Sequence, residues 1–301
     1  MTAVGIVAEY NPFHLGHAWQ IAQTRRLLGA DRPVVCAMSG HWVQGADCAI
    51  ADKWTRAVLA LEGGADLVLE LPTPWAMSSA ESFARGAVSI LAATGVVDTL
   101  SFGSECGSTR ELIAAARALD APGYPVRLRA ALDKGLSFPA ARQEAAGCPC
   151  LSTPNNNLGV EYLRALAHLN VSMEVLTVPR RGAEHNSPQT VEDFASATQV
   201  RRLLRSGTWD EAAGLVRPGA LDKIREMSSL TYVERAILAR LRVMDTSDWA
   251  TLPDSGAAEG LPERLVRADR PSPWMNFMPL PKPSGTPTPG SGGWPSPPFW
   301  G

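Results

Sequence analysis

The sequence predicts an α/β fold of the Rossmann type, in which helices cover both faces of a parallel sheet. Short apolar runs of strand length alternate with stretches of helix length through the first half of the chain. Such runs are typical of strands that are buried on both faces and joined by crossover helices. From about Ala197 the pattern is helical only, and all periodicity ends near Arg270. We therefore predict an α/β domain over 1–200, a smaller helical region over 201–270 and a disordered Pro/Gly-rich tail over 271–301.

Each predicted strand is an apolar run, and several of these runs end at a turn signal. The strands are Val4–Ala8, Pro33–Met38, Ala65–Leu71, Thr99–Phe102 and a fifth that could join the sheet, Met173–Val178. The predicted helices are His14–Leu28, Ala51–Glu62, Ser79–Thr94, Ser108–Asp120, Val126–Glu144, Asn157–His168, Ala197–Arg205, Trp209–Leu215 and Tyr232–Val243. In the second helix Trp54, Val58 and Leu61 share one face, and the fourth and fifth helices belong to an insertion.

The composition excludes several classes of protein. With 301 residues, 45% hydrophobic and 19% charged, the chain is long and apolar enough for a sizeable core, so collagen-like, coiled-coil and wholly disordered structures are excluded. Five cysteines without a repeated C-x-x-C spacing argue against a disulfide framework and a four-ligand zinc site. A formal net charge of −2 restricts any nucleic-acid surface to a local patch. We see no membrane span or export signal, and expect a cytoplasmic protein without a membrane partner.

The turn after the first predicted strand carries the candidate site. It reads Asn11-Pro12-Phe13-His14-Leu15-Gly16-His17. In a doubly wound fold this turn faces the phosphate groups of a ligand. Two histidines three residues apart at a helix start lie on one side of its first turn, beside unpaired backbone N–H groups and the positive end of the helix dipole. They form an anion site able to stabilise charge on a phosphate. A surface pair without function and two metal ligands are the alternatives for this spacing.

The same turn resembles the signature of a superfamily, and a longer set of blocks resembles one family. His14-Leu15-Gly16-His17 is similar to the His-x-Gly-His signature of nucleotidylyl transferases, which attack the α-phosphate of a nucleoside triphosphate and release pyrophosphate. The opening Gly5–His17 resembles the bacterial tRNA(Met) cytidine acetate ligase family. Further blocks resemble it in the same order, namely Ser39–Gln44, Lys53–Ala57, Gly64–Pro72, Phe102–Glu105, Pro154–Tyr162 and Ala195–Arg201. The resemblance covers about residues 1–200 and implies the Rossmann-like HUP nucleotidylyltransferase fold.

The resemblance implies a ligase that uses ATP, together with Mg²⁺, as a substrate. ATP and acetate give acetyl-adenylate and pyrophosphate, and N4 of the wobble cytidine of elongator tRNA(Met) then takes the acetyl group. The implied partners are ATP, acetate and this tRNA, with no role for DNA. Two alternatives stay open, an adenylyltransferase acting on a small-molecule phosphate and a non-catalytic nucleotide-binding remnant.

The resemblance also implies the site residues. It makes His14 and His17 the catalytic pair. The ATP-binding stretch consists of Val7, Ala8, Glu9, Tyr10, Asn11, Pro12, Phe13, His14, Leu15, Gly16, His17, Ala18, Trp19 and Gln20. Further ATP contacts are expected from Gly103, Asn156 and Arg181, with Arg180 as the alternative to Arg181. Ser196 and Thr198 are candidates for a second phosphate-contacting turn. A helix N-cap is the alternative role for Asn156 and for Ser196, and no protein ligand to a metal is assigned.

Two departures accompany the resemblance. Val43-Gln44-Gly45-Ala46 stands where the family typically reads Val-Gln-Arg-Gly, so one positive charge is missing. After Arg270 the likeness stops, and ten of the 24 prolines lie in 271–301. We expect this tail to be an altered end, truncated or out of frame, in place of RNA-reading helices. Three carboxylates, Asp66, Glu70 and Glu105, are either acids linked to Mg²⁺ or structural anchors, and we favour an anchor for Asp66.

Overall fold

A five-stranded parallel sheet forms the centre of the protein. The computed structural model describes residues 2–180, 195–224, 226–256, 258 and 260–269. Its strands are β1 (Ala3–Ala8), β2 (Val34–Ser39), β3 (Trp42–Val43), β4 (Asp47–Cys48), β5 (Leu67–Leu71), β6 (Val97–Ser104) and β7 (Glu174–Pro179). The sheet has the order β5-β2-β1-β6-β7, with every neighbouring pair parallel. The predicted parallel sheet is confirmed, including its fifth strand.

Helices cover both faces of this sheet, as predicted. Those of the described residues are α1 (Leu15–Leu28), α2 (Lys53–Glu62), α3 (Thr73–Ala76), α4 (Ala80–Ala93), α5 (Thr109–Leu119), α6 (Tyr124–Asp133), α7 (Phe138–Ala146), α8 (Pro154–His168), α9 (Ala197–Ser206), α10 (Trp209–Ala213), α11 (Glu234–Leu241), α12 (Thr246–Ala250) and α13 (Leu261–Asp269). No helix in this part of the chain combines the length and apolar character that a membrane span needs.

Two hydrophobic clusters, one on each face, hold the layers together. The strand β2 is buried along its whole length, and its side chains alternate between the clusters. Val35 and Ala37 join the cluster with α4, α5 and α8, whereas Cys36 and Met38 join the cluster with α1, α2 and α9. This is the pattern expected of a central parallel strand. The sheet is therefore fixed from both sides, and its carboxyl edge is the place where loops and helix ends meet.

The predicted helix over Val126–Glu144 is wrong as one element, because the chain turns in its middle. Helix α6 ends at Asp133 and α7 begins at Phe138. Gly135 between them has φ +83°, a left-handed conformation that glycine adopts without steric cost. Pro139 then lies in the first turn of α7, where its missing N–H costs nothing. The two helices pack against each other, and Arg127 of α6 donates to the Ala145 carbonyl of α7 at 2.7 Å.

Helix α2 turns a polar side chain inward. Its buried residues are Arg56, Leu59 and Ala60, whereas the face with Trp54, Val58 and Leu61 is exposed, Trp54 by 72%. The apolar face seen in the sequence therefore faces away from the sheet. The short β3–β4 hairpin that precedes this helix carries no strand signal of its own in the sequence.

The first helices after the sheet share its core. Val200, Leu203 and Leu204 of α9 are buried in the same cluster as Ile6 of β1 and Ile21 of α1. The cluster continues through residues that follow α9, namely Ala212, Val216, Ala220 and Ile224. Packing between the predicted domains is thus continuous up to Ile224, and the boundary at residue 200 stays a prediction. The tail over 271–301 lies outside the described residues.

Gly63 supplies the first test of this packing. A Cβ at Gly63 would lie 2.2 Å from Cζ of the buried Phe13 ring, so we expect Gly63→Ala to lower the free energy of unfolding by about 1–3 kcal/mol. Gly214 has a similar backbone conformation, φ −68° against −77°, and a Cβ there would meet only the Glu211 carbonyl at 3.7 Å. Gly214→Ala is therefore the matched control, expected to change stability by less than about 0.5 kcal/mol. Urea unfolding measures both, and equal effects would contradict the packing described.

Candidate functional site

A cavity of about 460 Å³ opens at the carboxyl edge of the sheet, where the strand order reverses between β1 and β6. Ligands of doubly wound folds bind at this point. The sequence-predicted residues that line it are Val7, Ala8, Glu9, Tyr10, Asn11, His14, His17, Gln20, Gly103, Arg180, Ser196 and Thr198. An adjoining space of about 30 Å³ shares both histidines and is also lined by Gly16 and Trp19. Residues that are far apart in the sequence therefore meet at one place.

The other predicted residues lie behind this wall or outside the described residues. Phe13 is buried in the core, with its ring centroid 4.9 Å from that of Tyr10. The N–H of Leu15 donates to the Leu215 carbonyl at 3.1 Å, and Ala18 packs against the core. Pro12 and Asn156 are buried away from the cavity. Arg181 lies outside the described residues, so its ATP contact stays a prediction.

The two histidines cap helix α1 and stack on each other. Nδ1 of His14 accepts a hydrogen bond from the Gly16 N–H at 3.0 Å, and Nδ1 of His17 accepts from the His14 N–H at 3.3 Å. Their ring centroids are 3.7 Å apart. Because each Nδ1 accepts a hydrogen bond, each neutral ring carries its proton on Nε2. Helix capping thus fixes the tautomer as well as the position of both imidazoles.

Tyr10 supports the pair from the side of the sheet. Its ring centroid lies 4.8 Å from that of His17, and its hydroxyl lies 3.5 Å from Sγ of Cys36 on β2. Burial raises the pKa of Tyr10 and raises that of Cys36 to about 11. Both groups therefore stay protonated at neutral pH and serve as packing rather than as nucleophiles.

The N-terminus of α9 forms a second wall of the cavity. Ser196 caps this helix, since its Oγ accepts from the Gln199 N–H at 3.1 Å. Arg201 donates through Nη1 to the Asn11 carbonyl at 2.8 Å and through Nη2 to Oγ1 of Thr198 at 3.1 Å. Burial lowers the pKa of Arg201 and the charge of Glu9 opposes that shift. Arg201 stays a cation in the cavity wall, a role that its place in the sequence did not indicate.

A second arginine that sequence analysis did not single out lies behind the wall. Arg56 is 0% exposed. It donates to the backbone carbonyl groups at the ends of β1 and β2, those of Glu9, Ser39 and Gly40, the Ser39 contact being 3.0 Å. Burial lowers the pKa of Arg56 to about 10, against the opposing charge of Glu9. It therefore remains a cation at neutral pH and fixes both strand ends.

Glu105 fixes the third wall, at the N-terminus of α8. It accepts hydrogen bonds from the side chain of Asn155 at 2.6 Å and from the Asn156 N–H at 2.9 Å. Burial raises the pKa of Glu105, but these hydrogen bonds outweigh it and hold the pKa below the ordinary range of a glutamate. Asn155 lines the cavity and accepts a hydrogen bond from Arg180 at 3.2 Å. Glu105 is thus a structural anchor that positions Asn155 and, through it, Arg180.

Asn156 has a different role from the N-cap considered for it. Helix α8 begins at Pro154, so Asn156 lies in its first turn. Its Oδ1 accepts from the backbone N–H groups of Glu105 and Cys106 at 2.9 and 3.2 Å, and its Nδ2 donates to the Cys150 carbonyl at 3.0 Å. Asn156 therefore ties α8 to the end of β6. The alternative role as an N-cap does not hold, because Pro154 starts the helix earlier, and the ATP contact of Asn156 stays a prediction.

Gly103 leaves open space in the cavity wall. A Cβ at this position would meet Cγ of Arg180 at 3.5 Å and the Val178 carbonyl at 3.9 Å, which are ordinary contact distances. The protein itself therefore has room for a side chain here. Close approach of a ligand is one use of a glycine in a strand, and the ATP contact of Gly103 stays a prediction.

The structure gives the contacts of Asp66 and Glu70 and the location of Gly45, where the family typically has an arginine. Asp66 accepts from the Val34 N–H and from Arg25, both at 2.7 Å, so it is a structural anchor as favoured. Glu70 pairs with Lys53 at 2.6 Å. Gly45 lines the cavity at the position where an arginine was expected. Among the described residues no group of three or more His, Cys, Asp or Glu side chains is placed to hold a metal ion, and the absence of a protein ligand stays a prediction.

A comparison with known proteins decides the family. Residues 1–277 match the family described as HIGH Nucleotidyl Transferase. The chain belongs to this family. The structure places both histidines of its His14-Leu15-Gly16-His17 turn in the cavity wall, and their catalytic role stays a prediction.

Relatives of this HIGH nucleotidyl transferase include tRNA(Met) cytidine acetate ligases. That of Acetivibrio thermocellus is 40% identical over 232 residues, which are 72% of this chain and 56% of the relative. That of Caldanaerobacter subterraneus subsp. tengcongensis is 42% identical over 214 residues, 68% of this chain and 53% of the relative. The chain spans about half the length of the curated relatives it matches. The family resemblance seen in the sequence blocks is confirmed.

Two crystal structures of Thermotoga maritima TmcAL share the fold. The apo form I matches with a TM-score of 0.77 and 31% identity, over 90% of this chain and 69% of that one. The form bound with alpha-thio ATP matches with a TM-score of 0.75 and 32% identity, over 90% and 67%. The HIGH nucleotidyl transferase fold of this chain is therefore shared with an ATP-analogue-binding protein.

Glu105 predicts a pH dependence of stability. Its pKa is lowered by folding, so its contribution is fully present above the pKa of the unfolded chain and is lost as the pH falls through the lower folded value. We expect Glu105→Gln to lower stability at neutral pH and to flatten its decline between about pH 5 and about pH 3. Glu174→Gln, at an exposed residue that begins β7, is the control and should leave the curve unchanged. Urea unfolding at several pH values measures it. Parallel curves for Glu105→Gln and the original chain would contradict the anchor role.

Proposed function

We propose that this HIGH nucleotidyl transferase uses ATP to activate acetate and transfers the acetyl group to N4 of the wobble cytidine of elongator tRNA(Met). The observation that carries the proposal is the stacked His14–His17 pair in a cavity bounded by the N-termini of α1 and α9 and by Arg180 and Arg201. The names of the relatives and the ATP analogue bound to Thermotoga maritima TmcAL support it. The reaction is assigned to the cytoplasm, without a role for DNA.

The cavity wall has the charges that a triphosphate requires. The N-termini of α1 and α9 bring partial positive charge to it. Arg180 and Arg201 add two full charges, partly balanced by Glu9 and Asp47 in the same wall. The Nε2–H groups of His14 and His17 are the donors that we assign to the phosphate oxygens on which charge develops. Mg²⁺ enters as part of the substrate, bound to the triphosphate, and Arg181 stays a predicted further contact.

The proposed reaction has two steps. An oxygen of acetate attacks the α-phosphorus of ATP, a new P–O bond forms, and the bond to pyrophosphate breaks with its electrons. N4 of cytidine then attacks the acetyl carbon, the C–O bond to AMP breaks, and N4 releases a proton. Neither step forms a bond to the protein. The chain contributes position and charge stabilisation, the roles that we assign to the capped histidines, Arg180 and Arg201.

The direct experiment is mass spectrometry of tRNA(Met) after incubation with ATP, acetate and this chain. We expect N4-acetylcytidine at the wobble position and one pyrophosphate released for each acetyl group. Pyrophosphate release that required a phosphorylated metabolite instead of acetate would show the small-molecule adenylyltransferase. Absence of release with either would show the non-catalytic remnant.

Two substitutions of His14 distinguish its role as a helix cap from its proposed role in catalysis. Asparagine is as good an N-cap as any residue, whereas alanine cannot cap, so we expect His14→Ala alone to lower stability, by about 1 kcal/mol. Both His14→Asn and His14→Ala should lower kcat for acetate-dependent pyrophosphate release by about 10²–10³, because each removes a donor to the developing charge. Unfolding curves and a pyrophosphate assay measure the two effects. A His14→Asn protein with unchanged kcat would refute catalysis by the pair.

A substitution at Gly103 should weaken ATP binding while leaving stability unchanged. Since a Cβ at this position would make only ordinary contacts with the protein, we expect Gly103→Ala to leave stability within about 0.5 kcal/mol. ATP binding should weaken at least about tenfold, because the side chain fills the space assigned to the nucleotide. Calorimetric titration with ATP measures this. Unchanged affinity would place the nucleotide elsewhere.

A further inference from the structure

One end of the cavity is lined by apolar and aromatic side chains that the proposed ATP contacts leave unused. They come from the helices on one face of the sheet and from β6, namely Phe83 of α4, Phe102 of β6, and Leu158 and Tyr162 of α8. The histidines and Arg201 come from α1 and α9, on the other face. The ends of β1 and β6 lie between the two sets. The cavity thus has a polar end for phosphate groups and an apolar end across the sheet edge.

The aromatic rings at the apolar end expose very little surface. Phe83, Phe102 and Tyr162 are 2%, 3% and 5% exposed. On side chains of ~150–250 Å² this is on the order of 10 Å² or less for each ring. A stacked nucleobase needs the whole face of a ring, so the opening does not suit a base. It suits a group of the size of a methyl.

The wall of this end is held rigidly. The rings of Phe102 and Tyr162 meet edge to face, with centroids 5.5 Å apart. Gly159 lets α8 approach so closely that a Cβ there would lie 2.5 Å from Phe102. Close packing of this kind does not yield to an extra methylene without cost. The space is therefore fixed in size.

Tyr162 also brings one polar group to this end. Burial raises the pKa of Tyr162, and the neighbouring charge of Glu9 raises it further. The hydroxyl therefore stays protonated and can donate a hydrogen bond. A carboxylate whose methyl group lies against the rings would have this donor within the same wall.

We propose that Phe83, Phe102, Leu158 and Tyr162 form an acyl pocket, which receives the methyl group of the carboxylic acid that is activated and excludes longer acids. The inference rests on the proposed function and adds to it the residues that select acetate by size. One extra methylene in a hydrophobic pocket changes kcat/KM by about 10- to 200-fold. We therefore expect kcat/KM for propionate and for butyrate to be at least about tenfold lower than kcat/KM for acetate.

The test compares acetate, propionate and butyrate as substrates for pyrophosphate release, with saturating ATP and with tRNA(Met) present. We expect the original chain to prefer acetate over propionate at least about tenfold in kcat/KM. Phe83→Leu and Leu158→Ala should each reduce that preference at least about fivefold, mainly through a higher kcat/KM for propionate. Phe138→Ala, at an exposed residue of α7 that is 56% exposed, is the control and should keep the original ratio.

The outcomes separate this inference from the proposed function. Acetate-dependent release with the same acid preference in Phe83→Leu, Leu158→Ala and Phe138→Ala overturns the acyl pocket alone. An original chain that uses propionate as well as acetate does the same. Absence of carboxylate-dependent release in the original chain overturns both. If Phe83→Leu does not fold, Leu158→Ala decides, because Leu158 is only partly buried and its truncation disturbs the core less.

Discussion

A buried guanidinium fixes the geometry on which the site depends. Arg56 donates to the Glu9 carbonyl just after β1 and to the Ser39 and Gly40 carbonyls at the end of β2, and hydrogen bonds to a charged group contribute about 1.5–3 kcal/mol each. The turn that carries His14 starts from one of these strand ends, and the β3–β4 hairpin starts from the other. The backbone N–H of Gln44, in the turn of that hairpin, donates a hydrogen bond to the Glu9 carboxylate at 2.6 Å. One cation therefore sets the distance between two walls of the cavity.

The groups that end secondary structure elements are also the groups that shape the cavity. His14 caps α1, Ser196 caps α9, and Glu105 accepts N–H groups at the start of α8. Helix N-termini carry partial positive charge, and the first N–H groups of α1 and α8 are occupied by the Leu215 carbonyl, His14 and Glu105. These helix ends border the cavity in which we propose that the triphosphate binds. The histidines add donors of fixed tautomer to it.

Local signals in the sequence predicted the sheet and the turn, and long-range contacts explain what the sequence could not show. The strands β1 and β2 read as continuous apolar runs because both of their faces are buried, and His14 and His17 are neighbours on one helical turn. Arg201 reaches the cavity only because it binds the Asn11 carbonyl, 190 residues away in the chain. Arg56 resembles any helix arginine until its buried acceptors are known. The size of the cavity, from which we infer the acyl pocket, depends on contacts between distant segments and cannot be read from the sequence.

The first step of the proposed reaction is attack of an acetate oxygen on the α-phosphorus of ATP in this cavity. Incubation with acetate labelled with ¹⁸O in both carboxylate oxygens, ATP and tRNA(Met) tests this directly by mass spectrometry of the products. We expect one ¹⁸O in AMP and one in the acetyl group of the modified cytidine, because the bridging oxygen leaves with the phosphate. Label in inorganic phosphate with ADP as the product, or unlabelled AMP, would contradict it.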